Sequence, residues 1–284
     1  MGGALASHVA AALGRRVART APVAGGSISD AHRADLVGGG TVLAKAAAGL
    51  PPGLLEVEAE GLAWLAEVPG VRVPAVLART PDVLVLEWVE PGPPTAGTDA
   101  DLGHHLALLH GAAAPAFGWH RDGFIGREPQ RNTPVRADWC GFWIEYRIAP
   151  LAVRAIDRGA LAPRASDLVD RLAARLPGLA GPPAAPVRVH GDLWSGNVHV
   201  DRDGLTWLVD PAPYAGHPEV DLAMLHLFGA PGPGTAAVYE EVRPLAPGWR
   251  ERLPIWQLEP LLVHAAMFGG GYGARALAVL ERFA

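Results

Sequence analysis

Hydrophobic and polar positions in the first ninety residues follow two rhythms. Between residues 22 and 46, short apolar runs alternate with glycine clusters. A run around Pro22 to Ala24 leads into GGSISD, AHRADLV follows, and Gly38-Gly39-Gly40 joins it to TVLAKA. Such runs predict three strands, the last two paired as a hairpin. From Pro52 to Glu67 the rhythm lengthens. Leu55, Glu58, Leu62 and Leu65 fall at i, i+3, i+7 and i+10, one face of a helix. Prolines stand near its start and a Pro-Gly lies beyond its end. VPAVLA and DVLVLEWV then return to strand spacing. The segment Glu90 to Gly97, EPGPPTAG, is a turn-rich joint, and the pattern after it is mainly helical except for residues 187 to 210. No internal repeat interrupts this order. The prediction is an α+β chain of two lobes with a cleft between them. Residues 1–90 would form a small antiparallel sheet with one helix, and residues 91–284 a larger, mainly helical lobe.

Composition narrows the function classes. The chain has 284 residues, half of them hydrophobic, enough for one large or two modest cores. A formal net charge of -5 gives no basic footprint for nucleic acid. No apolar run reaches the roughly 18–20 residues of a membrane-spanning helix. The N-terminal MGGALASHVAAALGRR lacks a basic region ahead of an apolar stretch and does not read as a secretory signal. One cysteine, Cys140, excludes an internal disulfide framework and reads as a buried small hydrophobe among aromatics. The expectation is a soluble cytoplasmic protein. Among 24 basic residues the only lysine is Lys45. In a chain so biased toward arginine, the surviving lysine either persists by chance or stands where a compact ammonium is needed.

The densest chemistry lies in VRVHGDLWSGNVHVDRDGLTWLVDP, residues 187 to 211. A β-branched run reaches His190-Gly191-Asp192, Asn197 follows five residues after Asp192, and a hairpin turning at DRDG ends on Asp210. Hairpin pairing lets Asn197 and Asp210 face one another, two oxygen donors suited to Mg²⁺ together with phosphate oxygens. Asp192 can then receive a proton from an attacking hydroxyl. This is the division of labour in kinase-type phosphoryl transfer. The competing reading makes Asp192 and Asn197 turn residues and Asp210 a strand-end cap.

Lys45 ends its strand in the position where kinases hold a lysine against the α/β-phosphates and a helix glutamate. Glu58 lies on the inward stripe of the following helix, where an unpaired charge would be costly, so Lys45 is its natural partner. Gly25, Gly26 and Ser27, upstream of Lys45, could supply donors that cover nucleotide phosphates. The backbone of Glu87 and Val89 could pair with an adenine edge. His104, His105 and His110 share a helix without a second metal-binding cluster and read as structural. Gly269-Gly270-Gly271 reads as the break between two helices, or as a border of the cleft.

On these residues the chain resembles the fructosamine kinase (ketosamine 3-kinase) family, relatives of the aminoglycoside phosphotransferases. HGDLWSGN with Asp210-Pro211 is similar to the family's catalytic and metal segment. FGWHRDGFIGREPQRNTPVRADWCGFWIEYR is similar to its glycine-aromatic, D-x-x-I-G, P-Q-x-N and W-x-x-F stretch, and EVDLAMLHLFG and HAAMFGGGYG also look like family segments. The resemblance implies a protein-kinase-like fold, ATP with Mg²⁺, and transfer to O3 of a ketosamine. It makes Asp221, with His190, a support of the catalytic loop. Trp194, Gln130, Asn132 and His264 become substrate-side candidates. Two positions depart from the family pattern. His217-Pro218 stands where an acidic-basic pair is expected, and Gly123 where Asn is expected. Rival readings are an aminoglycoside- or choline-type phosphotransferase, an inactive nucleotide-binding scaffold, and, last, a metal-dependent hydrolase built on His190 and Asp192.

Overall fold

A computed structural model describes residues 2–23, 30–229 and 231–284. Five strands, β1 (Val17–Pro22), β2 (Asp30–Leu36), β3 (Thr41–Ala46), β4 (Val76–Arg79) and β5 (Val83–Glu87), form one antiparallel sheet in the order β1-β2-β3-β5-β4. Both faces are covered, which is why β5 is apolar at successive positions instead of alternating. Val83 and Val85 pack with Leu5 and Val9 of helix α1 (Gly2–Leu13), whereas Leu84 and Leu86 join the cluster containing α2 (Leu54–Ala66). On β3, Val42 and Ala44 belong to the α1 side. With a side-chain period of two, Lys45 must therefore face α2. The β2–β3 turn needs Gly38, Gly39 and Gly40, whose φ angles are 84°, 100° and 94°.

The sequence placed the first strand around Pro22–Ala24 and placed no helix before it. The strand instead runs over Val17–Pro22 behind α1. It is the sheet's edge, with no fully buried position, so it carries no alternation to read. The two strands expected around VPAVLA and DVLVLEWV, and the helix expected over 52–67, appear as β4, β5 and α2 with shorter bounds.

The joint at residues 90–97 is pinned to the later hairpin. Gly92 donates to Val200 O at 2.9 Å, and Pro91 bridges to Asp201. Beyond it come α3 (Thr98–Gly111), a small hairpin of β6 (Gly123–Ile125) and β7 (Glu128–Gln130), and an unbroken helical run. That run is α4 (Trp139–Phe142), a π-helical stretch Trp143–Ile148, and α5 (Ala149–Asp157); α6 (Ala165–Leu179) follows. Strand β8 (Val187–Val189) pairs with β11 (Tyr214–Gly216) and flanks the hairpin of β9 (Val198–Val200) and β10 (Thr206–Leu208). Helices α7 (Glu219–Leu227), α8 (Pro233–Val242), α9 (Trp249–Trp256), α10 (Leu258–Phe268) and α11 (Tyr272–Phe283) complete the chain. As expected, the glycine triplet separates the last two.

The larger apolar cluster runs without a break from α2 to α11. Gly61 in α2 shows how close the approach is, since a Cβ there would lie 2.6 Å from Pro213 Cγ. That contact explains a glycine inside a helix despite its cost of about 1 kcal/mol. Cys140 is only half-buried, because its short helix α4 presents Trp139 and Phe142 to the core instead. Among the described residues no helix is long and apolar enough to cross a membrane.

Candidate active site

Three elements converge where the sheet meets the helical part. Lys45 is 2% exposed; its ammonium donates to Glu58 Oε1 at 2.5 Å and to Asp210 Oδ1. Burial alone would pull its pKa down, but the charges of Asp210 and Glu58 outweigh it and hold the group above the ordinary lysine range. Lys45 is thus a fixed cation joining strand, helix and hairpin.

Asp210 follows β10 with φ of 54°, the one non-glycine residue at positive φ among those described. Aspartate tolerates this left-handed region better than most residues. The backbone around it is tied on both sides: Val209 N donates to Asn197 O at 3.0 Å, and Ala212 N to His190 O at 3.0 Å.

The loop carrying Asp192 is fastened from below. Asp221, fully buried at the start of α7, accepts from His190 N at 2.7 Å and Gly191 N at 2.9 Å. His110 lies 3.1 Å from the same carboxylate and 2.8 Å from Tyr239 Oη. Burial would raise the Asp221 pKa, but these partners bring it below the usual carboxylate range. The His190 ring donates through Nε2 to Val209 O at 2.9 Å, and its Nδ1 faces Asp192 N at 3.3 Å, where it accepts. One neutral imidazole therefore couples the Asp192 loop to the residue before Asp210. Burial lowers its pKa and keeps it neutral. Gly191, at φ 81°, has no room for a Cβ against the Ala212 carbonyl.

Asn197 donates Nδ2 to Asp192 O at 2.8 Å, and the same nitrogen lies 3.3 Å from Asp192 Oδ2. With its nitrogen so used, the amide oxygen is left for another partner. Desolvation, then the nearby Asp210 charge, pushes the Asp192 carboxyl up to about 7. Two carboxylates competing for one small space is a feature of sites built to receive a cation or a proton.

Other expected residues divide. Trp194 and His264 line a pocket with Asp192, Ile125, Gly126 and Phe268. Gln130 and Asn132 do not line it. Both are buried, and Asn132 spends its side chain on Arg147 Nη2 at 2.7 Å and Arg121 O at 3.2 Å. Glu87 lies at the end of β5, with its backbone N–H given to Ala75 O at 2.8 Å; Val89 follows two residues beyond the strand. Gly25, Gly26 and Ser27 lie outside the described residues. His105 is structural, accepting from Arg72 N at 2.7 Å and lying 3.2 Å from Thr206 Oγ1. His104 is exposed. Among the described residues no three His, Cys, Asp or Glu side chains gather as a metal cluster. At the two departures, His217 stacks on Trp256 with centroids 5.5 Å apart, and Gly123 pairs with Gln130 across the β6–β7 hairpin.

One pair escaped the sequence reading. Arg147, 1% exposed in the π-helical stretch, places Nε 3.0 Å from Glu259 Oε1 and stacks on the Tyr214 ring at 4.1 Å. Charged residues inside two otherwise apolar runs, Glu145 and Arg147 in FWIEYRI and Glu259 in LEPLLV, were the available signal.

A lysine–glutamate pair on a small sheet, facing an Asp-x4-Asn loop and a hairpin-end aspartate, defines a phosphotransferase of the protein-kinase-like fold. The fructosamine kinase family model matches residues 1–284, and the chain belongs to that family of ATP-dependent phosphotransferases acting on hydroxyl groups. It is 36% identical over 267 residues to a protein of Enterococcus faecium named "Probable ketoamine kinase", covering 92% of this chain and 94% of the relative. It is 30% identical to a chloroplastic protein-ribulosamine 3-kinase of Oryza sativa subsp. indica, covering 94% of this chain and 79% of the relative. A crystal structure assigned to a fructosamine-3-kinase from Thermobifida fusca superposes with a TM-score of 0.89 at 42% identity, covering 98% of each chain.

Proposed function

We propose that this chain transfers the γ-phosphoryl group of ATP to O3 of a ketosamine, the adduct of a sugar with an amine. The observation that carries the reading is the Lys45–Glu58–Asp210 junction beside the Asp192–Asn197 loop. The relatives' names, ketoamine kinase and ribulosamine 3-kinase, support the acceptor class and its position. In this reading the lobes of residues 1–90 and 91–284 hold the nucleotide between them. Lys45 contacts its phosphates, Glu58 fixes Lys45, and the backbone at Glu87 and Val89 meets the base, with Gly25, Gly26 and Ser27 over the phosphates.

The donor set fits Mg²⁺. The Asn197 amide nitrogen is already spent, so its oxygen is free, and the Asp210 side chain is 41% exposed with only one oxygen given to Lys45. Mg²⁺ takes one or two such protein oxygens and completes its shell with phosphate and water, and there it would neutralise charge on the transferring group. Asp192 accepts the hydroxyl proton and aims the oxygen, while Asp221 and His190 hold Asp192 in place. Phosphorylation destabilises the adduct, which would make this a repair activity on glycated amines.

The test is ATP turnover on ribulosamine, erythrulosamine and fructosamine adducts, with the phosphorylated position read by phosphorus NMR. Turnover with phosphate on O3 is expected. Turnover only on aminoglycosides or choline-type alcohols would overturn the substrate class. Nucleotide binding without transfer to any acceptor would leave a scaffold.

A further inference from the structure

Beyond Asp192 the pocket wall is aromatic. Phe268 closes the last turn of α10 at the pocket mouth beside Trp194 and His264, and is 57% exposed. Phe228 meets Trp194 edge-on at 6.3 Å and His264 at 5.0 Å, and Tyr272 meets His264 at 4.9 Å. The exposed ring at the mouth is thus the outer member of a braced cluster. Among the described residues lining the pocket, Asp192 is the only charged side chain, and none is Lys or Arg. Burial holds His264 below its ordinary range, so its ring stays neutral and does not repel a cation. Gly269, Gly270 and Gly271 follow Phe268 with open space where a Cβ would stand, so no side chain crowds the chain next to the exposed ring.

Aromatic faces next to one carboxylate, without a competing cation, attract an alkylammonium. A sugar supplies hydroxyls but no such charge. A ketosamine does, because its amine is protonated at neutral pH and carries the alkyl chain of the parent amine. We propose that Phe268, with Trp194, determines specificity for the amine half of the substrate. The rings take the secondary ammonium and the first methylenes of its chain, while the sugar half reaches Asp192 and the rest of the chain leaves past the glycines. This rests on the ketosamine reading above.

The experiment compares kcat/KM for N-butyl fructosamine and for 1-O-butyl fructose, an uncharged ether of the same length, in wild type, Phe268→Leu and Phe268→Ala. Wild type should prefer the ammonium substrate. Phe268→Leu keeps apolar bulk without a π-face and should lose about fivefold of that preference. Phe268→Ala should lose at least as much and also weaken the ether. An unchanged preference in both variants, or none in wild type, would overturn the proposal while leaving the kinase reading intact. A wild type that phosphorylates neither compound would instead remove the ketosamine reading itself. The side chain is largely exposed, so folding of either variant is not at issue, and circular dichroism checks this.

Discussion

The hairpin at residues 187–211 and the stretch at 117–147 each give two residues to one pocket, Asp192 and Trp194 from the first and Ile125 and Gly126 from the second, yet they are organised by different means. In the first, the chemistry is local. Asp192, Asn197 and Asp210 lie within 19 positions, and the backbone brings them together through two short strands, a glycine with no room for a Cβ, and one histidine ring. In the second, the polar residues turn inward. Asn132 and Arg147 are buried against one another, and Arg147's second partner, Glu259, comes from α10, more than a hundred residues away. The hairpin keeps Asp192 on the pocket and leaves the Asp210 side chain 41% exposed. The 117–147 stretch hides its polar groups and lines the pocket with Ile125 and Gly126, while the pocket's rings, Trp194, His264 and Phe268, come from the hairpin loop and α10. Under the proposed function, reaction chemistry and acceptor choice should therefore be separable by mutation.

The sharpest break in that symmetry is Asp192→Asn. The amide keeps the size of the carboxylate but cannot take the hydroxyl proton, and losing a positioned acid-base group costs roughly 10² to 10⁴ in rate. Turnover of a ketosamine should fall at least about 10²-fold while Mg²⁺-ATP affinity, measured by calorimetry, stays near wild type. Wild-type turnover in this variant would place the proton acceptor elsewhere.

On the other wall, Arg147→Met should act through stability. It leaves Glu259 buried without its cation, a loss of about 3–5 kcal/mol for a broken buried pair. Burial already pushes Glu259 up to about 7, so it can take a proton and bring the loss toward the lower end. Urea unfolding measures the drop. In the protein that remains folded, KM for the acceptor should rise more than KM for ATP, because Arg147 supports Asn132 and α10, not Lys45. An equal rise in both would erase the division between the walls.

How far each wall could be read from sequence follows from the same contrast. Short-range spacing carried the hairpin, the Lys45 strand and the inward Glu58, since period and turn chemistry place those residues without knowledge of the rest of the fold. Helix α1 was missed because its apolar positions are few and sit among alanines. Strand β1 was misplaced because an edge strand needs no buried face. Gln130 and Asn132 look like substrate-facing residues in sequence because a polar residue in a motif reads the same whether it meets a ligand or, as here, the buried Glu259 and Arg147. Only the partner decides, and the partner of Arg147 lies 112 positions along the chain.

Acid should weaken both walls through two buried histidines. Desolvation pushes His105, beneath the hairpin, down to about 3, and His217, against Trp256, down to about 4. Each binds its proton less readily folded than unfolded. Its contribution is therefore complete above the unfolded value of about 6.5 and is lost as pH falls from there through the folded value. Between those limits each histidine should lower stability by up to about 1.4 kcal/mol per pH unit. Glu259 has the opposite sign, losing stability as pH rises from about 4.5 to about 7, and so partly flattens the profile. His217→Gln should reduce the slope of unfolding free energy between about pH 6 and 4.5 by one histidine's share. An unchanged slope would mean His217 is protonated in the native state.

The smallest effect separates scaffold from site. Asp138 caps α4, its Oδ2 accepting from Gly141 N at 2.6 Å, and so starts the helical run that carries Arg147 into the core. The cap satisfies one N–H that the helix itself cannot, and its removal typically costs about 1 kcal/mol. Asp138→Ala should therefore lower the urea midpoint by about that much, with the m-value unchanged because no additional surface is exposed on unfolding. Asp138 does not line the pocket, and five ring contacts hold Trp139 in the core without it. The acceptor KM should then stay within about twofold of wild type, the change expected of a cap that only stabilises its helix. A larger rise in KM, at a stability loss of only about 1 kcal/mol, would show that the position of the Arg147 turn is set from its far end. The acceptor wall would then depend on the start of its helix as well as on the buried pair.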